Sequence, residues 1–149
     1  MYVSPLKRAQ ETAAPLAKRI GLTPTIDDDI SEFDRNSNEY VPIEELRGTN
    51  DPRWLRMVRG EWEEGHDHPD LFRKRVVAAC ERMIAKHPGE RVIAVCHGGV
   101  INQYLAHILG IQTQIGFFYP QYTSIHRVVA SREGLRSLST LNETAHLRG

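Results

Sequence analysis

The sequence predicts an α/β fold, specifically a three-layer α/β/α sandwich built on a mostly parallel sheet. Helical and strand-like segments alternate along the chain, and the near-continuous apolar run from Arg91 to Cys96 is typical of a strand buried on both faces. With 149 residues, of which 40% are hydrophobic and 26% charged, the chain has the size and composition of one globular domain. Residues 1–149 are therefore expected to form a single domain.

The first half of the chain predicts one long helix and a long irregular segment. The helix runs from Leu6 to Ile20, and its apolar face is formed at helical spacing by Ala9, Ala13, Leu16, Ala17 and Ile20. Thr23 to Ile30 predicts an extended segment that ends in an acidic loop. Ser31 to Gly65 is polar and irregular, and a connection of this length is more often functional than idle. Short helices are expected within it at 43–46 and 52–58.

The second half of the chain predicts two further helices, a strand and a hairpin. A proline in the first turn favours a helix start, and a short separation between two β-type stretches favours a hairpin. The predicted elements are a helix from Asp67-His68-Pro69 to Lys86, the strand at 91–96, a tight turn at His97-Gly98-Gly99, a helix from Val100 to Leu109 and a hairpin of Ser124–Ala130 with Leu135–Leu141.

Composition and charge argue against several classes of protein. Nineteen basic and nineteen acidic residues balance to a net charge of zero, whereas a nucleic-acid binder carries an excess of Lys and Arg. No apolar run approaches the ~20 residues that cross a bilayer, and the first residues lack the pattern of a secretory signal. Cys80 and Cys96 lie in a helix and a strand pattern and are expected to be free thiols. These observations predict a soluble, cytoplasmic protein with no nucleic-acid or membrane partner.

A strand followed by His97-Gly98-Gly99 and a helix is the sharpest local signal. Ligands of open α/β sheets bind beyond the carboxyl ends of the strands, where the first N–H groups of the next helix lack partners. The two glycines let backbone approach a bound anion and His97 adds a ring donor, so a phosphate is the natural guest. The same residues can also form only a turn in which His97 caps the helix. This segment alone does not separate the two interpretations.

Arg8 is a second candidate, because it lies in the first turn of the first predicted helix. A guanidinium there would add its planar fork of donors to a helix N-terminus, a strong arrangement for phosphate oxygens. Taken alone, an arginine at such a position is more often a solvated helix residue. The segment around it reads Ser4-Pro5-Leu6-Lys7-Arg8-Ala9-Gln10-Glu11-Thr12-Ala13.

The two segments together resemble the histidine phosphatase superfamily, also called phosphoglycerate mutase-like. The likeness consists of Ser-Pro-Leu-x-Arg-Ala-x-x-Thr-Ala, an acidic loop and an apolar strand followed by His-Gly-Gly-Val-Ile, and it continues to the closing residues 141–147. The resemblance implies that Arg8 and His97 contact a phosphoryl group, with help from the amide of Gly98. The implied ligand is phosphate or a phosphorylated small molecule, and no metal or organic cofactor is implied.

The resemblance also implies a general acid or base in a loop after the first helix. Ile30-Ser31-Glu32 fits the family's Leu-x-Glu-like context, so Glu32 is the candidate and Asp34 competes with it. Such a group must hold a proton near neutral pH, which requires a pKa raised by burial or by neighbouring negative charge. That charge could come from the nearby aspartates, Asp27, Asp28, Asp29 and Asp34, although an acidic run is more often just a solvated loop. The following residues, 35–38, depart from the family's glycine and Trp-Glu-Gly pattern.

One residue of the family's active site is missing from this sequence. The family's motif Leu-x-Arg-His-Gly lies at the end of a central strand and its histidine attacks phosphorus, but no Arg-His-Gly occurs in the 149 residues. We therefore expect an N-terminally truncated domain that lacks its first central strand. Unpaired strand edges favour a homo-oligomer or an altered strand order. The other histidines are expected to be structural or solvated, and His66-Asp67-His68 is only a weak match to a metal cluster.

These inferences leave several functions open. The first is a phosphatase that hydrolyses a phosphomonoester through a phosphohistidine whose nucleophile is absent from this chain. A phosphoglycerate mutase is the alternative within the family, and the short chain favours the phosphatase. The chain could instead be a catalytically inactive relative that binds phosphate or serves assembly, or a product without function, so whether it is an enzyme is left open. A basic stripe in the middle segment, Arg53, Trp54, Arg56 and Arg59, lines the substrate entrance or is plain surface.

Overall fold

Three short parallel strands form the sheet that carries the candidate site. In the computed structural model, which describes residues 1–37, 41–49, 51–59, 61, 66–114 and 116–148, β1 (Tyr2–Val3) lies between β2 (Thr25–Ile26) and β3 (Ala94–Val95). Tyr2 is opposite Thr25 and Ala94, and Val3 is opposite Ile26 and Val95. The three strands therefore end at one edge of the sheet, where the chain continues into the loops of the site.

Helices cover both faces of this sheet. Tyr2 and Val3 are adjacent in an extended strand, so their side chains point to opposite faces. Val3 packs against two alanines of α1 (Lys7–Ile20). Tyr2 packs on the other face, in a cluster with side chains of α4 (Pro69–Lys86) and α5 (Gly98–Leu109). The predicted α/β/α arrangement with a parallel sheet is confirmed.

A row of alanines lets α1 approach the sheet closely. The buried residues of this helix are spaced four apart and are no more than 7% exposed: Ala9, Ala13 and Ala17. Leu16 and Ile20, which the sequence places on the same face, are 38% and 42% exposed. The row at i, i+4 faces the sheet, and these two larger side chains lie at its margin. The helix ends at Gly21, whose φ of 68° is a left-handed conformation that glycine adopts readily.

The helix α4 supplies half of the buried core cluster on the other face. It begins as predicted after His68, whose Nδ1 accepts a hydrogen bond from the Asp70 N–H at 3.4 Å, with Pro69 in the first turn. Its buried residues follow helical spacing and are Pro69, Phe72, Val76, Ala79 and Met83. Leu71, which the sequence places on the apolar stripe, is 63% exposed. No helix among the described residues combines the length and apolar character needed to span a membrane.

The remaining elements follow the prediction closely. The two short helices are α2 (Ile43–Gly48) and α3 (Pro52–Val58), and the antiparallel hairpin consists of β4 (Ile125–Ala130) and β5 (Arg136–Glu143). Single 3₁₀ turns occur at Asp28–Ile30 and Ala145–Leu147. Of the predicted irregular segment, residues 38–40, 50, 60 and 62–65 lie outside the described residues.

The strand predicted at 91–96 is wrong in length and in burial. Only Ala94 and Val95 form β3, and Ala94 is exposed. The Tyr2 N–H donates to the Ile93 carbonyl at 2.7 Å and the Ser4 N–H donates to the Val95 carbonyl at 3.0 Å, so the backbone carbonyls of residues 93 and 95 face β1. The described part of the chain provides no strand for the opposite edge of β3. An apolar run predicts a strand that is buried when a neighbouring strand lies on each side of it. Among the described residues β3 has a neighbouring strand on one side, β1.

A cleft of about 2940 Å³ borders the open edge of β3. It is lined by residues 91–96 and by residues 123–132, which include β4, and it reaches the candidate site residues Arg8, Glu32 and His97. Among the described residues β4 pairs with β5 alone. The homo-oligomer and the lost central strand stay predictions.

One ion pair joins the hairpin to the helical layer. Arg136 of β5 donates from Nε to Glu81 Oε1 at 3.0 Å and from Nη2 to Oε2 at 2.5 Å. The Tyr104 hydroxyl donates to the same Oε1 at 2.9 Å. These side chains belong to β5, α4 and α5, so a single carboxylate connects three elements. The helix α5 also packs directly against β5.

Both cysteines are free thiols, as predicted. Burial raises the pKa of Cys80 and of Cys96, and for Cys96 the pKa reaches about 12, with the nearby Glu32 carboxylate adding to the effect. Neither thiol therefore has the lowered pKa of a reactive cysteine.

Candidate active site

His97 lies at the junction between β3 and α5, at the carboxyl edge of the sheet. It is the N-cap residue of α5, but its side chain makes no capping hydrogen bond and is 8% exposed. The ring Nδ1 accepts from Arg8 Nε at 3.3 Å, and Nε2 lies 2.8 Å from Ser4 Oγ. Because an arginine can only donate, Nδ1 is the acceptor, and we assign the ring proton of neutral His97 to Nε2. The alternative in which the His97 side chain serves only to cap the helix is therefore wrong.

Arg8 comes from the first turn of α1 and meets His97 across 89 positions of sequence. Its Nη2 also donates to Asp34 Oδ1 at 3.3 Å. The alignment of strands brings these segments together, because the Ser4 N–H donates to the Val95 carbonyl at 3.0 Å at the end of the β1–β3 pair. The guanidinium side chain is 34% exposed, so it is reachable from solvent at the sheet edge.

Glu32 is the third candidate, and the structure places it beside the same helix start. It is 8% exposed, Oε2 accepts from the Gly99 N–H at 2.9 Å, and Oε1 accepts from the Phe33 N–H at 3.1 Å. The pKa of Glu32 is raised from 4.5 to about 7, mainly by burial and to a smaller extent by the charge of Asp34. The two N–H donors and Arg8 act in the opposite direction and lower it. Glu32 can therefore hold or release a proton near neutral pH.

The acidic residues before Glu32 do not take the part that the sequence predicts for them. Asp27 and Asp29 form ion pairs with Arg82 of α4 at 2.8 and 3.1 Å. Of the four aspartates considered, Asp34 is the one whose charge acts on the pKa of Glu32. Sequence proximity therefore does not decide which charges act on the carboxyl group, since Asp27 and Asp29 pair with Arg82 instead.

Gly98 and Gly99 have different roles in the structure. A Cβ on Gly99 would lie 2.3 Å from Glu32 Oε1, so this position must be glycine for the carboxyl group to approach the helix start. A Cβ on Gly98 would have Pro120 Cγ as its nearest neighbour at 3.8 Å, an ordinary contact. Within the described residues the Gly98 N–H has no hydrogen-bond partner, as is usual for the first N–H of a helix.

Burial lowers the pKa of His97, whereas it raises the pKa of Glu32. Burial, with a smaller contribution from the positive charge of Arg8, lowers the pKa of the His97 ring from 6.5 to about 3. The ring is therefore neutral near pH 7 when no anion is present.

Sequence reasoning missed Ser4 as a site residue. Its side chain is fully buried, and its Oγ is the partner of His97 Nε2 while accepting from the Leu6 N–H at 3.3 Å. The available signal was its position at the start of the segment that contains Arg8, directly after a strand. Ser4 fixes the orientation of the His97 ring.

The other histidines contact aromatic, polar and backbone groups elsewhere. His87 bonds to the Tyr2 hydroxyl at 2.9 Å, His66 packs edge-on against Phe33, and His126 packs edge-on against Phe118. No group of three metal-ligating side chains occurs in the part of the chain that the structure describes, and Asp67 of the weak cluster is paired with arginines.

The contact between Gly99 and Glu32 predicts a destabilised Gly99→Ala variant. The added methyl would displace the carboxylate and break its bond to the helix N–H, at a cost of about 1–3 kcal/mol in the free energy of unfolding. Gly98→Ala is the matched control and should change that free energy by less than about 0.5 kcal/mol. Urea unfolding of both variants measures the difference. Equal stabilities would contradict the contact.

The raised pKa of Glu32 predicts a pH dependence of stability. The carboxyl ionises near 4.5 in the unfolded chain and near 7 in the folded protein, so unfolding releases a proton between these values. The stabilisation is complete below 4.5 and is lost as pH rises through about 7, a loss of roughly 3 kcal/mol. The free energy of unfolding of the wild type relative to Glu32→Gln should fall accordingly from pH 4.5 upward. Parallel curves for the two proteins would show that Glu32 titrates normally.

The sequence matches the profile of the Histidine phosphatase superfamily (branch 1) over residues 1–144. It is 28% identical over 151 aligned positions to the Bifunctional protein Rv2228c of Mycobacterium tuberculosis, an alignment that covers 97% of this chain and 40% of that protein. The chain thus spans about two-fifths of the length of the curated relatives that it matches first.

Solved structures share the fold. YhfR of Bacillus stearothermophilus superimposes with a TM-score of 0.81 at 18% identity, covering 99% of this chain and 75% of its own. The mycobacterial glucosyl-3-phosphoglycerate phosphatase Rv2419c, solved in complexes with VO3, superimposes with a TM-score of 0.74 at 19% identity, covering 96% of this chain and 76% of its own. The profile match spans nearly the whole sequence, and the chain belongs to the histidine phosphatase superfamily.

Proposed function

We propose that the chain carries the phosphoryl-binding and proton-donating part of a phosphatase active site that acts on a phosphorylated small molecule. The observation that carries this proposal is a buried carboxyl, Glu32, with a pKa of about 7, placed at the same sheet edge as the Arg8–His97 pair. An arginine donor and a histidine that can take up a proton when an anion binds, beside an acid that is half protonated near neutral pH, suit the cleavage of a phosphate ester. A structural ion-pair network would not require a protonated carboxyl.

Arg8 supplies the positive charge for the phosphoryl oxygens in this proposal. Its guanidinium is already oriented by Asp34 and by His97 Nδ1, so little side-chain freedom remains to be lost on binding. A bound dianion would take over the Arg8 Nε–H, and His97 Nδ1 would then be free to accept a proton and donate to the anion. Phosphate binding would therefore raise the pKa of His97 from its low value and take up a proton.

Glu32 supplies the proton for the leaving group. A nucleophilic histidine nitrogen forms the N–P bond as the P–O ester bond breaks, and the departing oxygen takes the proton from the Glu32 carboxyl. Water then attacks the phosphohistidine and gives its proton to the Glu32 carboxylate as the N–P bond breaks. Inorganic phosphate leaves, and Glu32 returns to its protonated form.

In this proposal the nucleophilic histidine comes from a segment outside this sequence, which contains no Arg-His-Gly. The open edge of β3 suits a segment that carries it, because an extended strand placed there would pair with backbone that is unpaired among the described residues. If that strand runs parallel to β3, its carboxyl end reaches the same sheet edge as His97. The chain spans only part of the length of its curated relatives. The substrate and the activity of the whole protein are therefore proposed here and not shown.

Binding of an anion at Arg8 gives the first test of this function. Arg8→Met should weaken the binding of inorganic phosphate by about 10- to 100-fold, because it removes charge-assisted hydrogen bonds. Arg19→Met, at the exposed end of the same helix, is the matched control and should bind like the wild type. Isothermal titration calorimetry measures both. Equal affinities in the two variants, or no binding to the wild type, would contradict the proposed site.

Supplying the nucleophile gives the second test. An apolar peptide that ends in Arg-His-Gly should confer hydrolysis of p-nitrophenyl phosphate on the chain, and the same peptide with glutamine in place of histidine should not. Glu32→Gln should reduce the peptide-dependent rate by about 100-fold or more. Phosphate binding without any peptide-dependent turnover would favour the alternative of an inactive phosphate-binding relative. Turnover that survives His97→Ala would contradict both functions.

A further inference from the structure

The loop that carries Glu32 is attached to α4 through one guanidinium. Arg75 Nη1 donates to the carbonyls of Asp29 at 2.8 Å, Ser31 at 3.0 Å and Asp28 at 3.4 Å. Its Nη2 donates to Asp67 Oδ2 at 2.5 Å. The Arg75 side chain is 12% exposed and also lies over the Phe72 ring, with 5.1 Å from Cζ to the ring centroid. The three carbonyls lie within the four residues before Glu32.

The residues after Glu32 are held by the partner of Arg75. The Asp67 N–H donates to the Phe33 carbonyl at 3.1 Å, and Arg35 Nε lies 3.4 Å from Asp67 Oδ2. The Asp67 side chain is 16% exposed. Arg75 and Asp67 therefore hold the backbone on both sides of the candidate acid, although neither touches its carboxyl group.

We propose that Arg75 is a positioning residue that keeps Glu32 buried against the start of α5. The Asp28 carbonyl also accepts from the Ser31 N–H at 3.1 Å, and Asp67 is also paired with Arg35. Without the guanidinium, however, the part-buried carbonyls of Asp29 and Ser31 lose their donor together. Water can replace those donors only if the loop moves outward. Such a movement withdraws Glu32 from Gly99 and exposes its carboxyl group. The importance of this for catalysis rests on the proposed function.

The direction in which the pKa of Glu32 changes when Arg75 is removed distinguishes a positioning role from a direct effect of the Arg75 charge. The charged groups that act on Glu32 directly are Arg8 from α1 and Asp34 from its own loop, and the Cys96 thiol faces it from the end of β3. Loss of a distant positive charge alone would raise the pKa of a carboxyl. Loss of burial would lower it, because burial is the main cause of its raised value. A residue that only stabilises the fold would leave it unchanged in the folded protein.

Titration of Glu32 by NMR tests the proposal directly. In the ¹³C-glutamate-labelled chain, the Glu32 carboxyl signal is identified by its absence from Glu32→Gln and followed against pH. We expect an apparent pKa of about 7 in the wild type and a value lower by about one pH unit or more in Arg75→Met. An unchanged or raised pKa in folded Arg75→Met would overturn the proposal.

Two further variants keep the test decisive. Arg82→Met removes a guanidinium from the same helix that pairs with the side chains of Asp27 and Asp29, and it should leave the pKa of Glu32 as in the wild type. If Arg75→Met does not fold, Arg75→Lys decides, because one ammonium cannot span the three carbonyls and Asp67. We expect a smaller decrease of the Glu32 pKa in Arg75→Lys, and no decrease would overturn the proposal.

The titration does not depend on turnover or on phosphate. A lowered pKa of Glu32 together with an absence of phosphoryl chemistry would uphold the role of Arg75 and contradict the proposed function. Peptide-dependent turnover together with an unchanged pKa of Glu32 in Arg75→Met would support the proposed function and contradict the role of Arg75.

Discussion

The hydrogen bond from the Gly99 N–H to the Glu32 carboxylate is the contact on which the candidate site depends. It joins two segments 67 positions apart and fixes the loop after β2 against the first turn of α5. That first turn also places His97, which in turn contacts Arg8. The contact is possible because position 99 has no Cβ, and the geometry of the whole cluster therefore rests on one missing methyl group.

Burial drives both titratable groups of the site toward their neutral forms. It raises the pKa of Glu32 to about 7 and lowers that of His97 to about 3, so near neutral pH the imidazole is uncharged and the carboxyl is partly protonated. The lasting positive charge at this edge belongs to Arg8, which Asp34 only partly offsets at 3.3 Å. A site of this kind holds few charges of its own and is suited to bind an anionic ligand.

Sequence reasoning reached the fold class and brought Arg8, Glu32 and His97 to one place, because motif order and strand polarity determine the carboxyl edge of a parallel sheet. It did not reach Ser4, Arg75 or the reason for Gly99, because these contacts depend on packing between segments that are distant in sequence. The burial predicted for residues 91–96 failed for a related reason, since an apolar run contains no information about which neighbours are present. The acidic run left open which aspartates act on Glu32, and the structure directs Asp27 and Asp29 toward Arg82 while Asp34 acts on Glu32.

The ion pair of Arg136 with Glu81 has a consequence for how the domain opens. Among the described residues the hairpin shares no strand hydrogen bonds with the parallel sheet; that ion pair, the packing of β5 on α5 and the contact of Val128 with the core cluster connect it to the helices. We therefore expect the hairpin to open more readily than the sheet and its helices. Its amide protons would exchange with solvent as a group, before those of the core formed by α4 and α5.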